Sequence, residues 1–526
     1  MSTLSAPPGF ASSSLAASPV LEQPGGGMAA LRDAVLDGRF VGTSHAANGR
    51  ALAEFIAGTH PRPLSLWFGD RAAALAGDPE RLRLALDRDI AAIDALLSAQ
   101  VDAILHHERL RRLEGRWRGV AWLVDGIDSG ARIKVRLLNV SWPEIVRDLE
   151  RAAEFDQSQL FHRVYEDEFG SPGGEPYGLI LVDHELRHRP SAGAPTDDVG
   201  ALKLLAAVAA AAFVPMVLSA SPALLEVDRF ADLATVADPA APFRGPEFQR
   251  WRGLFAQEDI RFLAVVLPRV LARTPWRDDP LRGDPFRYNE YAPDADSRVW
   301  MSAGFAFAHT VTRAFANFNW PADVRGVETD RRAGGLVDGL PVEPFDTDGG
   351  HVWVRPPLEI MFTDRQERLL VDVGLMPLSA LPFGEEAVFG AVRSLQAPVQ
   401  YSGANTHIAA ANARLSTQIN SMLCVSRFAH FVKMLGREMV GSMRTGDEIE
   451  RQLQDWLTNF VNSSVGGASD MRSRYPLVSA QVTVRERPGK PGVFACIIQL
   501  QPHFQLDDVT ATFRLATDLA APGRSS

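Results

Sequence analysis

Val478-Ser-Ala-Gln-Val-Thr-Val-Arg-Glu486, Val493-Phe-Ala-Cys-Ile-Ile-Gln-Leu-Gln501 and Val509-Thr-Ala-Thr-Phe-Arg-Leu515 close the chain with three strand patterns, and in the last of them Val509, Ala511, Phe513 and Leu515 alternate with Thr510, Thr512 and Arg514. That is the period of a half-buried strand. The loop Pro488-Gly489-Lys490-Pro491-Gly492 between the first two predicts a hairpin. Ahead of them, Ala404 to Leu435 holds no Gly or Pro over 32 residues. Ile408, Leu415, Ile419, Met422, Phe428, Phe431, Val432 and Leu435 supply its apolar positions, so it reads as one long helix. A second helix is expected over Asp447 to Val461, with Ile449, Leu453, Trp456, Leu457 and Phe460 on its apolar face. Three antiparallel strands leave two edges of unpaired N–H and C=O groups. Such edges are either covered locally or used to pair with another chain.

Working outward, Gly178 to Val182 predicts a short buried strand, Ala201 to Phe213 a helix and Val214 to Ser219 a second strand. Strands alternating with helices imply a mixed α/β (α+β) core with some parallel pairing. Arg132 to Val140 alternates and reads as a half-buried strand. A helix from Trp142 to Phe155 follows, with Ser141 as its N-cap. Further helices are expected over Pro79 to Leu113 and Ser297 to Phe318, strands over His351 to Val354 and Glu359 to Thr363, and a surface loop between Arg277 and Asp296. Ala29 to about Gly77 is irregular and broken by His60-Pro61-Arg62-Pro63, as in a peripheral domain.

Bulk properties narrow the function. The 526 residues exceed one ordinary hydrophobic core, so several packed units are expected. A net charge of −10 and pI near 5.7 argue against nucleic acid, whose phosphates require a basic face. The only cysteines, Cys424 and Cys496, make neither a disulfide framework nor a four-ligand zinc site and suit a reducing cytosol. The first 27 residues lack the basic and apolar regions of a signal peptide and read as a flexible tail. Leu204 to Leu218, the most apolar run, is too short and too alanine-rich for a membrane span and reads as a buried helix entering a strand.

Several strings could carry chemistry. His184-Glu185-Leu186-Arg187-His188 matches the H-E-x-x-H of zinc peptidases, which requires both histidines one helical turn apart. Here the string follows a strand and meets Pro190 within two residues, leaving no room for a helix. The Gly-rich stretch Glu166 to Gly178 is acidic and lacks the Lys and Ser/Thr of a phosphate loop, so it reads as a shaped turn. His106-His107 fits the end of a charged helix better than a metal site. Cys424 and His430 lie on different faces of one helix and form no nucleophilic pair. Trp117, Trp122 and Trp142, with Arg116 and Arg118, read as core or interface anchors. No catalytic, cofactor-binding or metal-ligating residue is assigned.

A family resemblance rests on strings in register along the chain: residues 96 to 107 (Leu-Leu-Ser-Ala-Gln-Val-Asp-Ala-Ile-Leu-His-His), Leu113-Glu-Gly-Arg-Trp-Arg-Gly119, Phe155-Asp-Gln-Ser158 with Phe161, and Val164-Tyr-Glu-Asp-Glu-Phe-Gly170 through Gly173-Gly-Glu-Pro-Tyr-Gly178. Arg325-Gly-Val-Glu328, Gly334-Gly-Leu-Val-Asp-Gly-Leu-Pro341, Asn412-Ala-Arg-Leu-Ser416, Ser426-Arg-Phe-Ala-His430, Pro488 to Gly492 and Gln501-Pro-His-Phe-Gln-Leu506 continue the series. In order and spacing, from about residue 85 to 516, these resemble the large subunit of the type VI secretion contractile sheath, the TssC/VipB family.

The resemblance implies a cytoplasmic structural protein without cofactor that pairs with a small sheath subunit, TssB or VipA, and with further copies of itself in a helical, phage tail-like polymer. That polymer would stand on a baseplate, enclose an Hcp inner tube, contract to propel it, and be recycled by a ClpV-type AAA+ ATPase. It also implies that the C-terminal sheet receives strands from small subunits, which assigns Val482, Val484, Ile497, Val509, Ala511 and Phe513 to the strand-addition interface. The domains expected are a disordered tail (1–27), a variable N-terminal region (28–84), an N-terminal and middle sheath domain (85–385), a C-terminal sheath domain (396–520) and a short tail (521–526). The alternatives are a sheath protein of a related contractile injection particle and a zinc-dependent hydrolase using His184, Glu185 and His188.

Overall fold

The computed structural model describes residues 57–58, 62–171, 173–283, 286–327, 332–346, 352–381, 384–398, 413, 416–440, 445–462, 469–486, 494–503 and 513–519. The fold is mixed α/β. Two compact units are distinguished, one made of residues up to Leu110 with Pro275–Ser297, the other of Arg111–Thr274 with Arg298 onward.

In the first unit, α1 (Pro79–Leu105) starts at Asp78, whose carboxylate accepts from the backbone N–H of Glu80 and Arg81 at 3.1 and 3.2 Å. The helix expected to run on to Leu113 stops earlier. The chain turns at His106, whose ring bonds the buried carboxylate of Glu290 at 3.1 Å, and α2 (Glu108–Asp125) then begins. Glu290 also accepts from the Trp276 N–H, and Tyr288 donates to Asp102 at 2.6 Å. The segment expected as a surface loop is thus tied to the end of α1 by side-chain bonds.

The second unit is built on a four-stranded parallel sheet, β1 (Ile180–Leu186), β2 (Met216–Ala220), β3 (Leu263–Leu267) and β4 (Leu375–Pro377), in that spatial order. Every residue of β2 and β3 is buried, which is why these strands read as apolar runs without alternation. Helix α3 (Trp142–Arg151) begins where Glu144 accepts from the Ser141 N–H at 2.8 Å and its hydroxyl at 2.6 Å, a capping box that ends at Arg151, short of the expected Phe155. Helix α4 (Asp198–Ala212) crosses from β1 to β2 and is apolar around most of its circumference, as a helix packed within the core must be. With β2 it accounts for the run Leu204 to Leu218.

Helix α5 (Ala303–Phe318) packs against β1, β2 and α2. Two glycines four residues apart on α2 make its approach possible. A Cβ on Gly115 would lie 2.0 Å from the Trp300 carbonyl oxygen, and one on Gly119 would lie 2.5 Å from the Phe305 ring. The string Leu113 to Gly119 is therefore a close-packing motif. Helix α6 (Asp364–Asp372) leads into β4, and its buried Gln366 donates to the carbonyls of Leu233 and Val236.

Three expected elements differ. Arg132 to Val140 pairs with no strand among the described residues and is mostly exposed. A strand needs a second backbone, and β1, β2, β3 and β4 complete their sheet without it. Glu359 to Thr363 is likewise no strand: Leu358 makes one bridge to Val270, and the Glu359 N–H bonds Arg269 O at 3.1 Å. The long C-terminal helix, α7, spans Ile419–Val440; the start expected for it at Ala404 lies outside the described residues, as do residues 1–27 and the hairpin loop Pro488 to Gly492.

Helix α8 (Gly446–Thr458) follows α7, and then an antiparallel sheet of β5 (Leu477–Glu486), β6 (Phe494–Pro502) and β7 (Phe513–Leu519), with β6 central. Ile449, Leu453 and Leu457, four residues apart on α8, are fully buried against β5 and β6 residues Val482, Val484, Cys496, Ile498 and Leu500. Fully burying each such side chain is worth about 1.5–3 kcal/mol relative to exposing it. Trp320 stacks on Phe428 at 4.4 Å and joins this cluster. Among the described residues no helix is long and apolar enough to cross a membrane.

Candidate interface for strand addition

The terminal sheet buries Leu477, Val482 and Val484 of β5 and the even-numbered residues of β6, and turns Ser479, Gln481 and Gln499 to solvent. Its register pairs Thr483 with Ile497 and Val482 with Ile498. In such a ladder, successive residues send their N–H and C=O to opposite sides. Ala480, Val482 and Val484 therefore direct theirs away from β6.

Those outward groups meet α8. Gln454 Nε2 donates to Ala480 O at 3.0 Å, the Val482 N–H donates to Gln454 Oε1 at 2.9 Å, and the Val484 N–H donates to Glu450 Oε2 at 2.8 Å. Two helix side chains thus imitate a partner strand along the β5 edge. Glu448 holds the start of α8 by accepting from the Thr445 N–H at 3.0 Å, which orients the helix.

On the other side, β6 pairs with β7 from Phe494↔Leu519 to Leu500↔Phe513. Carrying the alternation across the sheet, Arg514, Ala516 and Asp518 direct their backbone groups away from β6. Among the described residues no strand lies on that edge. Of the residues expected at the interface, Val482 and Val484 have buried side chains and N–H groups already bonded to α8, and Ile497 sits on the central strand, paired on both sides. Phe513 begins β7, while Val509 and Ala511 lie outside the described residues. Sequence reasoning missed Gln454 and Glu450: they look like ordinary polar positions on an amphipathic helix.

The H-E-x-x-H string lies largely inside β1, so its side chains diverge. His184 stacks on Trp142 with centroids 4.3 Å apart and donates to Asp198 Oδ2 at 3.2 Å. Asp198 is buried and also accepts from Trp142 Nε1, the Thr196 hydroxyl and the Arg187 N–H at 2.8, 2.9 and 3.0 Å. Burial pushes this carboxyl up, but the His184, Trp142 and Arg187 bonds outweigh it and hold it below the usual carboxylate range. Glu185 receives Arg269 through two bonds of 2.6 and 2.8 Å, and His188 stacks on Phe248. Among the described residues no group of three His, Cys, Asp or Glu side chains is placed to hold a metal.

The other candidates have structural settings. Trp142 is core, Trp122 donates to Gly339 O at 2.9 Å, and Trp117 is exposed. Burial pushes the Cys424 and Cys496 thiols up to about 12, leaving neither as a thiolate near neutrality. His430 donates to Ala212 O at 3.0 Å, and burial lowers it to about 4.

The EvpB/VC_A0108 tail sheath N-terminal domain matches residues 87–396, and the tail sheath gpW/gp25-like domain of the same family matches residues 408–519. The chain belongs to the VipB tail sheath family. The type VI secretion system sheath protein TssC1 of Pseudomonas aeruginosa is 35% identical over 435 residues, 82% of this chain and 85% of its own. A chain of the anti-feeding prophage baseplate, solved by cryo-EM, aligns over 76% of this chain and 84% of its own with a TM-score of 0.32 and 11% identity, a likeness too low to argue from. The VipB family is one of structural sheath proteins, not of enzymes. The boundary between its two domains falls before α7, so α7, α8 and the terminal sheet lie within the gpW/gp25-like part.

Proposed function

We propose that this chain is the large structural subunit of a type VI secretion contractile sheath. In this reading it assembles with a small sheath subunit of the TssB/VipA kind and with further copies of itself around an Hcp inner tube in the bacterial cytoplasm. Contraction from a metastable extended packing then propels the tube for effector delivery, and a baseplate and a ClpV-type ATPase complete the cycle.

The observation that carries the reading is the asymmetry of the terminal sheet. The β5 edge is closed by Gln454 and Glu450, whereas the β7 edge has no strand beside it among the described residues. A sheet guarded on one edge can grow only on the other, which gives strand addition a direction. In this reading the incoming strand pairs with β7 and not with Val482, Val484 or Ile497.

Co-expression with the small sheath subunit, followed by negative-stain microscopy and metal analysis, tests the proposal. Hollow tubules without stoichiometric zinc are the expected result. A monodisperse particle carrying one zinc per chain would overturn it.

A further inference from the structure

We propose that Arg132–Val140 is a second strand-pairing site, which receives an extended segment of the companion sheath chain. This inference rests on the sheath reading above and adds a contact to it.

The segment runs from Arg132 to Asn139 without a bend, and the N–H groups of these residues donate to no backbone carbonyl among the described residues. Val140 bonds only back to Leu138. Yet the segment is held in place. Lys134 donates to both oxygens of Glu175 at 2.6 and 2.7 Å, and Arg136 bonds the buried Glu168 carboxylate and the Tyr177 hydroxyl. The turn that supplies these partners is itself fixed. Glu168 accepts from the Glu175 N–H at 2.8 Å, and a Cβ on Gly174 would lie 2.2 Å from the Glu168 carbonyl oxygen. The string Gly173 to Gly178 thereby acquires a role: it props one face of Arg132–Val140.

Alternation puts Val135 and Leu137 on the other face. They are 42% and 61% exposed, with Leu138 at 63% and Val140 at 37%. A row of N–H groups without backbone partners among the described residues, flanked by exposed apolar side chains, is the chemistry of an unpaired strand, and its complement is another extended backbone with apolar residues opposite Val135 and Leu137. The same segment of a second copy does not fit. Arg132, Lys134 and Arg136 are its only charged residues, so self-pairing would set cation against cation. The occupant is therefore a segment of different sequence, which the sheath reading assigns to the companion chain.

Hydrogen–deuterium exchange tests this on tubules assembled from the full chain and the small sheath subunit, compared with the unassembled chain. Alternate amides between Arg132 and Asn139, those that face the incoming strand, are expected to slow by about 100-fold on assembly, which requires hydrogen bonding and not mere proximity. A photocrosslinker at Leu137 is expected to capture the small subunit. Unprotected amides in intact tubules, or capture of a second copy of this chain, would overturn the inference and leave the sheath reading standing. Absence of tubules from the wild-type pair would overturn both, and microscopy of the same sample tells the cases apart. Leu137→Asp is expected to reduce co-purification of the small subunit at least about tenfold, since it sets a charge among apolar groups. Unchanged co-purification of that variant would also overturn the inference.

Discussion

Gln454 grips Ala480: its Nε2 donates to the Ala480 carbonyl at 3.0 Å while its Oε1 accepts from the Val482 N–H at 2.9 Å. One side chain closes two groups of a strand edge. Gln454→Leu leaves both without these partners, so a stability loss of about 1–3 kcal/mol is expected. Because it reopens a strand edge, concentration-dependent aggregation should accompany the loss. Chemical denaturation and light scattering check the two effects, and a variant as stable and as soluble as the wild type refutes the clamp.

Proline separates the two edges of the terminal sheet. Ala516 directs its N–H away from β6, so Ala516→Pro removes an outward donor while sparing the ladder to β6. Tubule formation is expected to be lost while the thermal stability of the unassembled chain is kept. Proline at Val482 behaves differently, because it removes the donor to Gln454 and destabilises the chain itself. Normal tubules from Ala516→Pro would remove the β7 edge from the assembly scheme.

Close packing sets the third expectation. A methyl at Gly115 meets the Trp300 carbonyl oxygen, which belongs to the backbone and cannot rotate aside. Gly115→Ala should cost about 1–3 kcal/mol, within the usual range for overpacking. Denaturant midpoints measure it. Tolerance equal to that of Gly170→Ala, where a Cβ meets nothing within 4 Å, would show that α2 shifts freely.

His430 predicts a pH dependence. Burial lowers its folded pKa to about 4, while in the unfolded chain it is about 6.5. Above about 6.5 both states are neutral and the group contributes nothing. As pH falls from about 6.5 to about 4, only the unfolded chain takes up the proton, so stability falls by roughly 3 kcal/mol and then levels off. His430→Gln should flatten stability in that window. An unchanged slope would show that other groups govern the acid limb.

The H-E-x-x-H string gives a fifth test. His184 serves the buried Asp198 carboxylate, so His184→Ala is expected to lower stability by about 1–2 kcal/mol by removing one of its donors. Dialysis of the wild type against a chelator should leave its melting temperature unchanged. A fall in melting temperature on chelation, restored by zinc, would return the string to a metal role.

Sequence alone determined what depends on local period and composition. The parallel core followed from apolar runs such as Leu204 to Leu218, which only a doubly buried helix and strand tolerate. The C-terminal helices and strands followed from their 3.6- and 2-residue periods, and Pro190 removed the helix that a zinc site needs. Tertiary structure decided what depends on the neighbour. Whether an alternating stretch becomes a paired strand depends on a second backbone, so β5 and Arg132–Val140 show the same period and differ in fate. The edge of β5 is closed by Gln454 and Glu450, which approach it only once α8 packs beneath the sheet, and no local pattern marks two polar helix residues as strand mimics. Gly115 and Gly119 likewise look like helix-weakening residues until the Trp300 backbone and Phe305 of α5 come close enough to exclude every larger side chain. Period is a property of one segment and survives in the sequence, whereas closure of an edge is a property of two and appears only when they meet.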